Sequence, residues 1–199
     1  MSKTKSAFSI AVVALLVATP AMGQLTNYPI GALRAGDADG ATSIGAGWGR
    51  GLNEDSGKLN AFGVGITRAA ETVSYSVAGV YVNSSDIGLG GRLAYNGLAE
   101  NIGIQGGIEW KSPDAGTQMN FPIGISFSGA SESISYSVMP RVQFTRTSAS
   151  SATTTETDFG VSAGIGFATE GGVGLGLSGD WVSGTSSILV GAAVYYQLP

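Results

Sequence analysis

Residues 102–110 read Ile-Gly-Ile-Gln-Gly-Gly-Ile-Glu-Trp, and two kinds of residue alternate along this stretch. One parity carries the bulky apolar residues Ile102, Ile104, Ile108 and Trp110, while the other parity carries only glycine, glutamine and glutamate. Successive side chains of a β-strand point to opposite faces of the sheet. The stretch therefore predicts a strand with one apolar face and one small or polar face.

The same period of two recurs along the chain from Thr42 onward, and no convincing helical period of 3.6 competes with it. In every segment one parity is bulky and apolar, and the other is mainly glycine, serine, alanine or threonine with a few charges. This pattern predicts ten strands. They run over residues 42–50, 59–68, 72–82, 86–96, 101–110, 120–128, 133–145, 158–168, 172–181 and 187–197.

The aromatic residues distinguish a membrane barrel from a soluble sandwich, which would hold its large rings in the middle of a core. Here they lie on the bulky face near the strand ends, as the two interfaces of a bilayer favour. If the first strand runs away from the periplasm, the rings form a far girdle and a near girdle. The far girdle has Trp48, Phe62, Tyr81, Trp110, Phe121, Phe144, Phe159 and Trp181, and the near girdle includes Tyr95, Phe127, Phe167 and Tyr196.

The connections alternate in length, as they do in outer-membrane barrels with short periplasmic turns. The far connections are 51–58, 83–85, 111–119, 146–157 and 182–186, and the near ones, at 69–71, 97–100, 129–132 and 169–171, are all short. We expect the Ser/Thr run at 147–156 to be a flexible, solvated tip; a specific binding loop is the alternative. Because lipid leaves no backbone group unsatisfied, the sheet must close. Residues 41–199 are thus predicted to form an all-β fold, a closed antiparallel transmembrane β-barrel of about ten strands.

Composition excludes several classes of function. The chain has no cysteine and no histidine, which excludes a disulfide scaffold, a Cys/His zinc site and every His-based catalytic mechanism. The net charge of −4 argues against nucleic acid as a partner. We therefore predict a protein that is not an enzyme and that holds no metal or cofactor.

The N-terminus predicts export. Residues 1–23 combine Lys3 and Lys5, a short apolar run and the small residues Ala21 and Gly23, which is typical of a cleaved signal peptide. A retained N-terminal anchor is the alternative. Residues 24–40 are predicted to be a periplasmic N-terminal segment, whose role the sequence does not indicate.

The last strand carries a resemblance to a family. Gly191, Val194 and Tyr196 match the Gly-x-x-apolar-x-aromatic end of the signal that the outer-membrane assembly machinery reads, although Leu189 replaces the usual polar residue and the chain ends at Pro199. With the signal peptide and the girdles, the mature chain resembles the small, porin-like outer-membrane β-barrel proteins of Gram-negative bacteria. The resemblance implies a location in the cell outer membrane, with the lipid bilayer and the assembly machinery as partners.

The small-residue face would line the lumen and is too small to fill a ten-stranded interior. Charges in a lumen often mark a selectivity region. We therefore predict a narrow passive pore for small solutes or ions; the alternative is a structural or surface-interaction barrel, whose inner charges pair and close the lumen. The lumen-lining candidates are Arg92, Gln105, Glu109, Arg141, Gln143 and Asp180.

Overall fold

The computed structural model describes residues 42–52, 60–68, 72–82, 86–112, 116–131, 134–149, 152–169, 171–183 and 187–198. All regular structure in these residues is β-strand. The ten strands are β1 (Thr42–Gly51), β2 (Asn60–Arg68), β3 (Val73–Val82), β4 (Asp86–Ala99), β5 (Ile102–Ser112), β6 (Gly116–Ala130), β7 (Ile134–Ala149), β8 (Ala152–Ala168), β9 (Val173–Val182) and β10 (Ser187–Gln197).

The strands form one closed antiparallel barrel in which each strand pairs with its sequence neighbours and β1 pairs with β10. The closing ladder runs from Ser43 opposite Gln197 to Gly51 opposite Leu189. Closure satisfies the backbone groups that an open sheet would leave at its two edges. The predicted fold class and the number of strands are confirmed.

Side-chain burial alternates along the strands, as the period of two in the sequence requires. In β2, for example, Phe62, Val64 and Ile66 are exposed on the outside, whereas Ala61 and Thr67 are buried inside. Large apolar side chains of all ten strands are exposed in this way. A continuous apolar outer surface around a closed ladder is the property of a barrel that has lipid as its surroundings.

Three neighbouring strands are longer than the sequence predicts. β6, β7 and β8 have 15, 16 and 17 residues, whereas β1, β2 and β3 have 10, 9 and 10. The prediction of a flexible tip over 147–156 is therefore wrong for its described residues, which continue the β7–β8 ladder as far as Ala149 opposite Ala152. The predicted connection at 111–119 is likewise shorter, because β5 ends at Ser112 and β6 begins at Gly116. We call the far part of these strands, Gly116–Asn120, Thr145–Ala149 and Ala152–Asp158, the far extension.

Two near-side turns depend on left-handed backbone. Asn101, between β4 and β5, has φ = 62°, and Gly172, between β8 and β9, has φ = 75°. Asparagine and glycine are the residues that adopt this region most readily. A register shift between Tyr95 and Ala99 lets the long β4 meet the turn. The predicted signal peptide (1–23) and N-terminal segment (24–40) lie outside the described residues.

Candidate functional site

The inner face of the barrel has two unlike halves. The wall formed by β10, β1, β2 and β3 carries mostly glycine, alanine, serine and threonine on its inward parity. The wall formed by β4 to β9 carries the long polar side chains. Its buried polar and charged residues include Arg92, Glu109, Asn120, Arg141, Gln143, Thr145, Ser162 and Asp180.

The strongest contact inside the barrel joins β7, β8 and β9. Arg141 Nη1 lies 2.9 Å from Asp180 Oδ1, and Arg141 Nη2 donates to Asp180 Oδ2 at 3.0 Å. Ser162, between them on β8, donates to Asp180 Oδ1 at 2.6 Å and accepts a hydrogen bond from Arg141 Nη1. Arg141 is only 2% exposed and Asp180 is also buried. A bidentate pair that is hydrogen-bonded on both sides is the arrangement that makes a buried ion pair tolerable.

Glycine makes room for this pair. A Cβ atom at Gly160, which lies opposite Arg141, would be 2.8 Å from Arg141 Nη2. A Cβ atom at Gly124, on the other side of Arg141, would be 2.7 Å from Arg141 Cβ. The guanidinium can therefore lie close to the β8 backbone because Gly160 carries no side chain, and Gly124 leaves room for the Arg141 Cβ on the β6 side.

Two further contacts cross-link the β4–β6 part of the wall. Asn120 Nδ2 donates to Glu109 Oε2 at 3.2 Å, and Glu109 has no exposed surface. Arg92 Nη1 donates to Gln105 Oε1 at 3.2 Å. Residues that face each other across a ladder are the pairs that stabilise a sheet, and Glu109 and Asn120 are such a pair.

These contacts form one electrostatic group. Arg92 interacts electrostatically with Glu109, Arg141 and Asp180, and Asp180 also interacts with Glu109. The two positive and two negative charges balance. We call Arg92, Glu109, Arg141 and Asp180, with Gln105, Asn120 and Ser162, the interior network. Arg92 Nη2, Arg141 Nε and Asn120 Oδ1 are buried without a hydrogen bond to a described residue, and a few enclosed waters would satisfy such atoms without a continuous aqueous path.

The six residues that the sequence selected are all inside the barrel. Five are buried and Gln105 is half-buried. The structure brings Arg92 to Gln105 and Arg141 to Asp180, whereas Gln143 donates to Thr145 Oγ1 of its own strand at 3.1 Å. Sequence reasoning missed the inward-facing Asn120, because it was assigned to a strand end, and Ser162, because serine is common on this face.

Apart from Tyr195, the aromatic residues of the described strands lie on the outside of the barrel. Trp48 is opposite Phe62, which is opposite Tyr81, and Phe121 is opposite Phe144. Trp48 and Trp110 are half-buried, and Phe159 meets Trp181 edge to face with ring centroids 6.3 Å apart. The exposed members are Phe62, Tyr75, Tyr81, Tyr95, Phe121, Phe127, Tyr136, Phe144, Phe159, Phe167, Trp181 and Tyr196.

The residues of the predicted assembly signal lie on the closing strand β10. Gly191 is opposite Gly49 of β1, and Val194 is opposite Ala46. Tyr196 is exposed on the outside, whereas Tyr195 points inward and donates from its hydroxyl to Phe167 O at 3.3 Å. The assembly signal itself stays a prediction.

Within the residues that the structure describes, no group of three or more acidic, histidine or cysteine side chains could hold a metal ion. The same residues include no helix long and apolar enough to cross a membrane.

No protein-family model matches the chain, and no curated protein sequence matches it. Solved structures similar to it include the NanC porin (9% identity, 78% of this chain and 100% of that one, TM-score 0.48). The KdgM porin is similar at 10% identity, over 79% of this chain and 99% of that one, with a TM-score of 0.46. The Yersinia pestis outer membrane protein Ail in a phospholipid bilayer nanodisc is similar at 11% identity, over 80% of this chain and 100% of that one, with a TM-score of 0.45. At these identities the likeness concerns the fold alone. Because these TM-scores are below 0.5, the likeness adds no argument. The closed ladder and the apolar outer surface of this chain define it as a transmembrane β-barrel of ten antiparallel strands, as the sequence predicts.

Proposed function

We propose that this protein is an outer-membrane barrel whose lumen is closed by the interior network, and that it acts through its far surface rather than by transport or catalysis. The observation that carries the proposal is the burial of Glu109, Asn120 and Arg141, which are the largest fully buried side chains of the described residues. Polar side chains that line an aqueous path are reached by water. Side chains with 0–2% exposure are not open to such a path.

The charge balance of the network supports the same function. A selective pore places charges of one sign where ions pass, so that the partner of each charge is the permeating ion. Here the Arg141 guanidinium already has the Asp180 carboxylate as its partner, and Glu109 accepts from Asn120. Such mutual satisfaction serves the stability of a closed interior.

The location follows from physical requirements. A closed barrel with an apolar exterior needs lipid around it, and the predicted signal peptide would export it. Both conditions are met at the outer membrane of a Gram-negative cell. We also propose that Gly191, Val194 and Tyr196 are read by the assembly machinery there.

A narrow passive pore for small solutes or ions is the second candidate function. It is favoured by the small side chains of the β10–β3 wall and by Lys111 and Asp158, which share the inward parity near the far end and are half-buried rather than buried. In this case the network would be a constriction instead of a seal.

Planar-bilayer recording of the refolded protein separates the two functions. We expect no current from the wild type, and a measurable current from the double variant Arg141→Ala with Asp180→Ala, which removes the central pair and serves as proof of insertion. A steady wild-type current would overturn the closed-lumen proposal. The pore would then be supported further if Arg92→Glu with Arg141→Glu shifts the reversal potential toward cations.

A further inference from the structure

On one side of the far extension, no strand of the described residues is its partner. β8 begins at Ala152, but its ladder with β9 begins only at Gly160, which is opposite Val182. On its other side β8 is paired with β7 along its whole length. Among the described residues, 152–158 thus form the outer edge of the sheet that β6, β7 and β8 continue at the far end.

The direction of the free backbone groups can be derived from Phe159. Its N–H donates to Ser183 Oγ at 3.1 Å, and its C=O accepts from Ser183 N–H at 2.8 Å, so both groups point to the β9 side. Backbone groups alternate in direction along a strand. The N–H and C=O groups of Thr153, Thr155 and Thr157 therefore point to the same side, where no described strand pairs with them.

Within the described residues, this edge is protected by its two carboxylates alone. Natural proteins cover an edge strand or interrupt it with proline, a bulge or charged side chains, lysine above all. Residues 152–158 read Ala-Thr-Thr-Thr-Glu-Thr-Asp, which includes neither proline nor lysine, and residues 152–157 are exposed. Threonine also has a high preference for β-structure. An exposed edge whose charges are all negative is suited to accept an additional strand of opposite charge.

The charges of the edge indicate its partner. Glu156 and Asp158 lie on one face of β8, and Thr153, Thr155 and Thr157 lie on the other. Glu156 is opposite Thr145 and Asp158 is opposite Gln143, so the neighbouring strand supplies no positive charge directly across from either carboxylate. Opposite charges across a ladder are favourable. A strand with lysine or arginine at every second position would complement this face.

A second copy in the same membrane does not fit. Two copies related by rotation about the bilayer normal have β8 running in the same sense and tilted to opposite sides. Their edges would cross instead of pairing. The occupant must therefore be an extended segment that is free to align itself with the edge.

We propose that the β8 edge of the far extension binds an extended, basic segment of another protein by strand addition. This inference rests on the proposed surface function, for which it names the surface and the chemistry of the partner. The backbone groups of Thr153, Thr155 and Thr157 supply the hydrogen bonds, and Glu156 and Asp158 select for positive charge.

The test uses a fluorescent peptide of alternating valine and lysine, titrated with the full protein refolded in detergent micelles. We expect saturable binding that weakens with salt. Thr155→Pro removes a free edge N–H without touching the β7 ladder, so it should weaken binding about tenfold or more. The matched control Thr155→Val keeps the N–H and the shape and should bind like the wild type. Glu156→Lys should weaken binding about two- to tenfold.

A second peptide, methylated on alternate backbone nitrogens, separates strand addition from charge attraction. It keeps every lysine but cannot donate to the edge, so we expect it not to bind. Equal binding of both peptides, or equal binding to Thr155→Pro and Thr155→Val, would overturn the inference. If the wild type carries no current in bilayers and the peptide does not bind, only the edge site is refuted. If the wild type conducts ions and the peptide binds, only the closed lumen is refuted.

Discussion

Replacing Asp180 with asparagine tests the closed lumen through the change in the free energy of unfolding. The carboxylate accepts from Arg141 at 2.9 and 3.0 Å and from Ser162 at 2.6 Å. Asparagine has nearly the same shape, but it lacks the charge and turns one acceptor into a donor that faces the guanidinium. Because Arg141 is 2% exposed, its charge would stay buried without a counter-charge. We expect Asp180→Asn to lower the free energy of unfolding by about 3–5 kcal/mol.

The double variant Arg141→Met with Asp180→Asn removes the uncompensated charge as well. It should recover at least about 2 kcal/mol of the loss, since replacing a whole buried pair costs far less than breaking it. Urea unfolding of the protein in lipid vesicles, followed by tryptophan fluorescence, measures each value. The control is Glu156→Gln, the same chemical change at an exposed position, for which we expect a change within about 0.5 kcal/mol.

An aqueous lumen gives a different result. Water would hydrate the guanidinium, and the pair would then behave like a surface ion pair worth about 0–1 kcal/mol. A cost of less than about 1 kcal/mol for Asp180→Asn, with no recovery in the double variant, would refute the sealed interior and favour the narrow pore.

Three other changes test the outer surface, the packing and the assembly signal. Leu89 is 54% exposed on the outside, and Leu89→Arg should lower the free energy of unfolding by about 2–4 kcal/mol in the same assay. Leu198→Arg, beyond the near end, should lower it by about 0–1 kcal/mol. Equal losses would contradict a lipid-facing exterior. Gly160→Ala should cost about 1–3 kcal/mol, because its Cβ would lie 2.8 Å from both the Trp181 carbonyl oxygen and the Arg141 guanidinium. Gly106→Ala, whose nearest contact would be 3.8 Å, should be close to neutral. Tyr196→Ala should lower the amount of protein inserted into the outer membrane of cells while leaving refolding in detergent unchanged, and normal insertion would show that the assembly machinery does not require this residue.

The sequence predicts the barrel well because the alternation of apolar and small residues within each strand can be read from neighbouring positions. Alternation in a stretch such as 102–110 fixes which side chains face lipid, and closure follows because no strand in lipid can leave an edge unpaired. The inward parity of Arg92, Glu109, Arg141 and Asp180 follows from the same counting. All four are buried inside the barrel.

The pairing of these residues could not be predicted in the same way. Arg141 and Asp180 are 39 residues apart, and they meet only because the register of β7, β8 and β9 brings Ser162 between them. The strand alternation does not specify that register. The extension of β8 over residues 152–157 was also missed, since a Ser/Thr run has the composition of a loop, and only pairing with β7 makes it a strand.

The glycine content has a different meaning in the structure from the one that composition suggests. Small inward residues would leave an empty lumen if every side chain pointed straight toward the axis. In the structure, large side chains lie along the wall over glycines of the next strand. A Cβ atom at Gly174 would be 2.0 Å from the ring of Tyr195, and one at Gly160 would be 2.8 Å from Arg141 Nη2. Glycine here leaves the space that Tyr195 and Arg141 occupy against the wall, so a glycine-rich inner face is compatible with the proposed closed lumen.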